Sequence, residues 1–123
     1  VHEGPQSIAV AAVPQPHHAL KSGMLTSNAP GLYRPGKWGI RIESLVINRP
    51  VENPEETEFG KFLYFETVPL CPIDTRLIDT KLMTGSEIEW LNQYHAEVCR
   101  RLEPLTEGAA KAWLIERTEP LAR

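Results

Sequence analysis

The chain has 123 residues, a hydrophobic fraction of 41%, a charged fraction of 24% and a net charge of −3. That length suffices for one modest domain with a core of its own, and the composition is that of a globular protein. The charge offers no basic footprint for nucleic acid or an anionic membrane. No apolar run approaches the roughly 20 residues of a membrane span, and the first residues lack the basic-then-apolar pattern of a signal peptide. These features predict a cytoplasmic protein.

Near the N-terminus, Ile8 to Val13 is short, apolar and partly β-branched, and reads as a strand. Pro14 and Pro16 flank a loop with His17 and His18, which reads as solvated surface. Lys21-Ser22-Gly23 is a turn leading into a strand that starts at Met24-Leu25-Thr26. Ser27-Asn28-Ala29-Pro30-Gly31-Leu32-Tyr33 reads as a strand running into a Pro-Gly turn, and Pro35-Gly36 makes the tight connection to Gly39-Ile40-Arg41-Ile42-Glu43. Glycines 31, 36 and 39 suit a backbone that turns sharply. Glu43 stands between Ile42 and Leu45. A carboxylate in an apolar strand is costly to desolvate without a cation or hydrogen bond, so Glu43 is a candidate metal ligand. A strand-end glutamate facing water is the commoner alternative.

The stretch from Asn48 to Lys61 is polar, acidic and broken by Pro50 and Pro54. It reads as an exposed loop joining two strands and as the best boundary candidate. Phe62-Leu63-Tyr64-Phe65 and Val68-Pro69-Leu70 follow as a strand-like run. Cys71 and Cys99 share no metal-ligand spacing and read as reduced, partly buried thiols.

The last third is helical. Thr84-Gly85-Ser86-Glu87 matches a capping box, and Ile88, Leu91, His95, Val98 and Leu102 recur at steps of three and four until Pro104. His95 on that stripe reads as a hydrogen-bonded core histidine rather than a catalytic one. A second helix runs from about Ala109 to Glu116, with Trp113 as its packing anchor, and ends at Thr118-Glu119-Pro120.

Taken in order, Val1-His2-Glu3-Gly4-Pro5-Gln6, Gly23-Met24, Ser27-Asn28-x-Pro30-Gly31, Gly39-Ile40-Arg41-Ile42-Glu43 and Trp90-Leu91-Asn92-x-Tyr94-His95 resemble the C-terminal part of the Xaa-Pro aminopeptidase (aminopeptidase P) family. The similarity runs from Val1 to about Leu121. It implies an α+β fold, the C-terminal portion of a pita-bread metallopeptidase, with antiparallel strands followed by two C-terminal helices. It further implies a catalytic-domain portion over 1–58 and a strand and helical tail over 59–123. The family's substrate is a peptide with proline at the second position, attacked by water that two divalent ions (Mn, Co or Zn) activate.

Residue by residue, the resemblance assigns Glu43 as a bridging metal ligand, Arg41 as its supporting arginine and His2 as the histidine that hydrogen-bonds substrate or intermediate. Position 29 is Ala where the family pattern has a ligand glutamate. Two aspartates and a ligand histidine belong upstream of His2. This chain therefore supplies one of five protein ligands, and by itself is expected to hold no metal tightly and to be inactive. Two readings stand: a C-terminal fragment of an Xaa-Pro aminopeptidase, or a non-catalytic remnant serving as an interaction or dimerisation module. The implied partners are a missing N-terminal half or a second copy in a homodimer, with neither nucleic acid nor membrane involved.

Overall fold

The computed structural model describes residues 8–9, 19–52 and 60–122, in two compact units that divide between Pro69 and Leu70. His2, the histidine pair at 17 and 18 and most of the expected strand from Ile8 to Val13 lie outside the described residues. Strands occupy the first unit and helices the second, the expected α+β order.

The first unit holds β1 (Leu25–Asn28), β2 (Gly31–Arg34), β3 (Trp38–Arg41), β4 (Ser44–Pro50) and β5 (Leu63–Thr67). All pairings are antiparallel: β1, β4 and β5 form one sheet in that order, and β2 pairs with β3 in a second. The turn into β1 is closed by Met24 N–H donating to Lys21 O, with Gly23 at φ +84°. Gly36, at φ +72°, makes the reversal between β2 and β3, and Lys37 N–H donates to Arg34 O at 2.9 Å across it.

Several sequence expectations need correction in this unit. Pro30-Gly31 is not a reversal, because β1 and β2 lie along one arm of a ribbon whose other arm is β3 and β4. Gly31 and Gly39 do not have positive φ either. They are required by Tyr33, whose ring lies over both: a Cβ on Gly31 would stand 2.5 Å from Tyr33 Oη, and one on Gly39 2.7 Å from Tyr33 Cδ1. The polar run from Asn48 begins inside β4, and the middle of the expected loop, residues 53–59, lies outside the described residues. Asn48 is almost completely buried, exchanges backbone hydrogen bonds with Gly23 and Met24, and donates its side-chain amide to Lys21 O at 3.2 Å. Its backbone N–H and C=O and its side-chain amide nitrogen are thereby paired, which is what lets an asparagine enter the interior. Pro50 stands at the strand's last pair, opposite Leu63, where the ladder can end at a residue without an N–H. The aromatic run is β5, paired against β4, while Val68, Pro69 and Leu70 of the expected run lie beyond the strand.

In the second unit, α1 (Gly85–Leu102) begins at a complete capping box. Glu87 N–H donates to Thr84 Oγ1 and Thr84 N–H donates to Glu87 Oε2 at 2.7 Å. Ile88, Leu91, His95 and Val98 are its buried residues, the expected stripe, and Leu102 is half-buried. After the Pro104 turn comes α2 (Gly108–Arg117), where the phase differs from expectation. Leu114 is the buried residue and Trp113 is half-exposed, because one residue along a helix rotates the side chain by roughly 100°. Asn92 pins the C-terminal tail by donating to Leu121 O at 3.0 Å and accepting from Leu121 N–H at 2.8 Å.

A short tandem repeat precedes α1. Ile73-Asp74-Thr75-Arg76-Leu77 and Ile78-Asp79-Thr80-Lys81-Leu82 each form a 3-10 turn capped by the aspartate, which accepts from the backbone N–H two residues on. Both leucines are highly exposed. Cys71 is likewise exposed rather than partly buried, while Cys99 is half-buried, and both are free thiols.

Candidate functional site

The candidate site lies at the break in the ribbon of the first unit. Asn28 of β1 pairs with Ser44 of β4, and Gly31 of β2 pairs with Arg41 of β3. Two residues intervene on each arm, so the register stays in step, with Ala29 opposite Glu43 and Pro30 opposite Ile42. The Ile42 N–H donates to Pro30 O at 3.4 Å, holding the arms together across the break.

Glu43 thus follows the end of β3 instead of lying within an apolar strand. Its side chain is 39% exposed, so the desolvation argument for a bound cation does not apply. The compensating cation is Arg41, with Nε 3.6 Å from Glu43 Oε2 and both side chains well exposed. Alternate residues share a face, which puts Arg41 and Glu43 side by side as the sequence predicts. An exposed pair of this kind contributes at most about 1 kcal/mol.

Tyr33 faces Gly39 directly, and Gly31 faces Arg41, so the Tyr33 ring lies on the same face of the ribbon as Arg41. Sequence reasoning missed this residue; its signal was the pair of glycines spaced to lie beneath one aromatic ring. The opposite face carries Leu32, Trp38 and Ile40, each about half-exposed.

A metal pair would need several ligands at this break. Glu43 is one carboxylate, already ion-paired, and the residue opposite it in register offers a methyl group with no electron pair. Among the described residues there is no group of three or more His, Cys, Asp or Glu side chains able to hold a metal ion. Ions that prefer oxygen ligands need several such donors to offset their dehydration, so the described residues do not fit a metal pair. His95 lies in the second unit, fully buried, with Nε2 accepting from Ile73 N–H at 3.0 Å, and belongs to the helical core.

Residues 61–121 match the family model for the C-terminal region of peptidase M24. The chain is 45% identical to the probable Xaa-Pro aminopeptidase P of Coprinopsis cinerea, over 98% of this chain and 20% of that protein. It is 42% identical to aminopeptidase P2 of Arabidopsis thaliana, over 100% of this chain and 17% of that protein. The crystal structure of X-prolyl aminopeptidase from Caenorhabditis elegans, described as a cytosolic enzyme with a di-nuclear active site, superposes with a TM-score of 0.72 at 32% identity. That match covers 83% of this chain and 17% of that one. The chain therefore spans about a fifth of the length of the curated relatives it matches.

Proposed function

Because this chain belongs to the M24 peptidase family and corresponds to the C-terminal part of its Xaa-Pro aminopeptidases, we propose that it is the C-terminal portion of an enzyme that removes an N-terminal residue preceding proline. In such an enzyme a pair of divalent ions, held mostly by residues outside this ribbon, would supply an activated water. Glu43 is the one metal ligand that this chain offers, Arg41 holds its carboxylate in place, and His2 hydrogen-bonds the substrate. Residues 1–58 form part of the catalytic domain, and 59–123 its terminal strand and helical tail. The cytosolic relative supports a cytoplasmic protein, and no described helix is long and apolar enough to cross a membrane.

By itself the chain is catalytically silent. The observation that carries this reading is the register of the ribbon, which sets the Ala29 methyl opposite Glu43. Ligands contributed from elsewhere in the enzyme could not replace the carboxylate that Ala29 does not supply. The same observation favours a second reading, a non-catalytic module that pairs with another chain. The half-exposed Leu32, Trp38 and Ile40 support it, because clustered apolar side chains in water favour association.

A peptidase assay tests the proposal. The chain and its Ala29→Glu variant are each mixed with the upstream half of a related Xaa-Pro aminopeptidase, with Mn²⁺ and an Xaa-Pro peptide. The expected result is no cleavage by either chain alone, and metal-dependent cleavage only when Ala29→Glu meets the upstream half. Cleavage by the unmodified chain alone overturns the silent-fragment reading. Restoration by neither chain leaves the interaction module as the better account.

A further inference from the structure

Two adjacent side chains of α1 grip the segment that opens the tandem repeat. Tyr94 Oη donates to Cys71 O at 2.8 Å, and Ile73 N–H donates to His95 Nε2 at 3.0 Å. Pro72 between them has no N–H to offer, so the tripeptide is held at its two ends. The Ile73 end leads straight into the Asp74-capped turn.

The chemistry at that end depends on one proton. His95 is fully buried, and its Nδ1 has no hydrogen-bond partner. An imidazole nitrogen accepts a hydrogen bond only while it carries no proton. With Nε2 accepting, the neutral ring holds its proton on Nδ1. A second proton would fall on Nε2, displace the Ile73 N–H and leave a buried cation.

Among the described residues, no carboxylate is hydrogen-bonded or ion-paired to His95. Tyr94 is the ring beside it, 5.9 Å away, and Cys99 lies one turn further along α1. On the gripped segment, Cys71 is a free thiol and Asp74 is ion-paired with Arg76. The charged groups of α2 are also engaged, Lys111 with Glu103 and Arg117 with Glu116.

We propose that His95 is an acid-released latch: its protonation detaches Ile73 from α1, while Tyr94 keeps its hold on Cys71, so that the Asp74 turn opens locally. Burial pushes the His95 pKa below its ordinary value, which agrees in sign. The closed form binds the proton less readily than the open form. Its advantage is therefore complete above the free imidazole pKa of about 6.5 and declines as pH falls below it.

Amide hydrogen exchange at Ile73 in the intact chain, corrected for intrinsic rates, tests the latch at pH 7.5 and pH 5.0. A free imidazole is about 30-fold more charged than neutral at pH 5, so Ile73 protection should fall by up to about 30-fold. Protection at Leu91, within α1, should change little. In His95→Gln the side-chain carbonyl accepts without titrating, and the pH dependence at Ile73 should vanish. If that variant does not fold, nitrogen NMR of His95 in the unmodified chain still decides, with the Nδ1–H tautomer expected at neutral pH. Equal Ile73 protection at both pH values, or an Nε2–H tautomer, overturns the proposal.

Discussion

Replacing Gly39 with alanine should strain the ribbon that carries Arg41, because the new methyl would stand 2.7 Å from Cδ1 and 3.3 Å from Cε1 of Tyr33. Neither distance is a comfortable carbon–carbon contact, so the ring or the strand must move. Turning the ring about 30° off its rotamer costs about 0.5–1.5 kcal/mol, and shifting packed backbone about 1–3 kcal/mol. Alanine returns about 0.5–1 kcal/mol through the lower entropy of the unfolded chain. The net effect should run from about neutral, where the ring turns, to about 2.5 kcal/mol destabilising, where the strand shifts. With Tyr33→Ala already in place, the obstacle is gone and Gly39→Ala should be neutral or stabilising. Urea unfolding of the four chains, followed by NMR at the backbone amides of β2 and β3, gives the coupling between the two positions. Tyr33 and Gly39 should couple by about 0.5–3 kcal/mol, the cost of displacing the ring or the strand. Additive effects would refute the idea that the glycine exists to seat the ring.

Two further outcomes follow from the helical unit. Thr84 N–H, then the Thr84 hydroxyl, hold the Glu87 carboxyl below its ordinary pKa of 4.5. The capping carboxylate therefore contributes stability that is present above pH 4.5 and lost as pH falls through the lower folded value. Thermal melts should show Glu87→Gln less stable than the unmodified chain at pH 7, with the gap closing toward pH 3; a gap that widens in acid contradicts the cap. Leu114→Ala should cost about 2–5 kcal/mol and Trp113→Phe under about 1 kcal/mol, read as urea midpoints. The opposite order would restore Trp113 as the anchor of α2.

What could be read from the sequence was the structure set by neighbours along the chain. The capping box at Thr84 and the stripe from Ile88 to Val98 depend on spacings of three and four, which any helix repeats. The Gly36 reversal likewise depends on local backbone freedom. The misreadings concern partners distant in sequence. Asn48 looked like loop because its partners Lys21, Gly23 and Met24 come from another arm of the sheet. Gly39 looked like a turn because the Tyr33 ring that fills its space comes from the paired strand; Gly31, two residues before Tyr33 on the same strand, lies under that ring as well. Trp113 was favoured by size, yet the phase of a ten-residue helix against α1 selected Leu114. At the candidate site, Arg41 beside Glu43 followed from alternation along a strand. The opposition of Ala29 and Glu43 needed the register of both ladders, which no local pattern specifies.

The ribbon carries a lone, ion-paired carboxylate where a metal pair would need several ligands. Calorimetric titration of Mn²⁺ into the chain and into its Ala29→Glu variant tests it most directly. No saturable binding at micromolar metal is expected in the unmodified chain, and none in the variant, since one added carboxylate still leaves the donor set short. Saturable micromolar binding by the unmodified chain would contradict it, and would mean that Glu43 has ligand partners other than those along this ribbon.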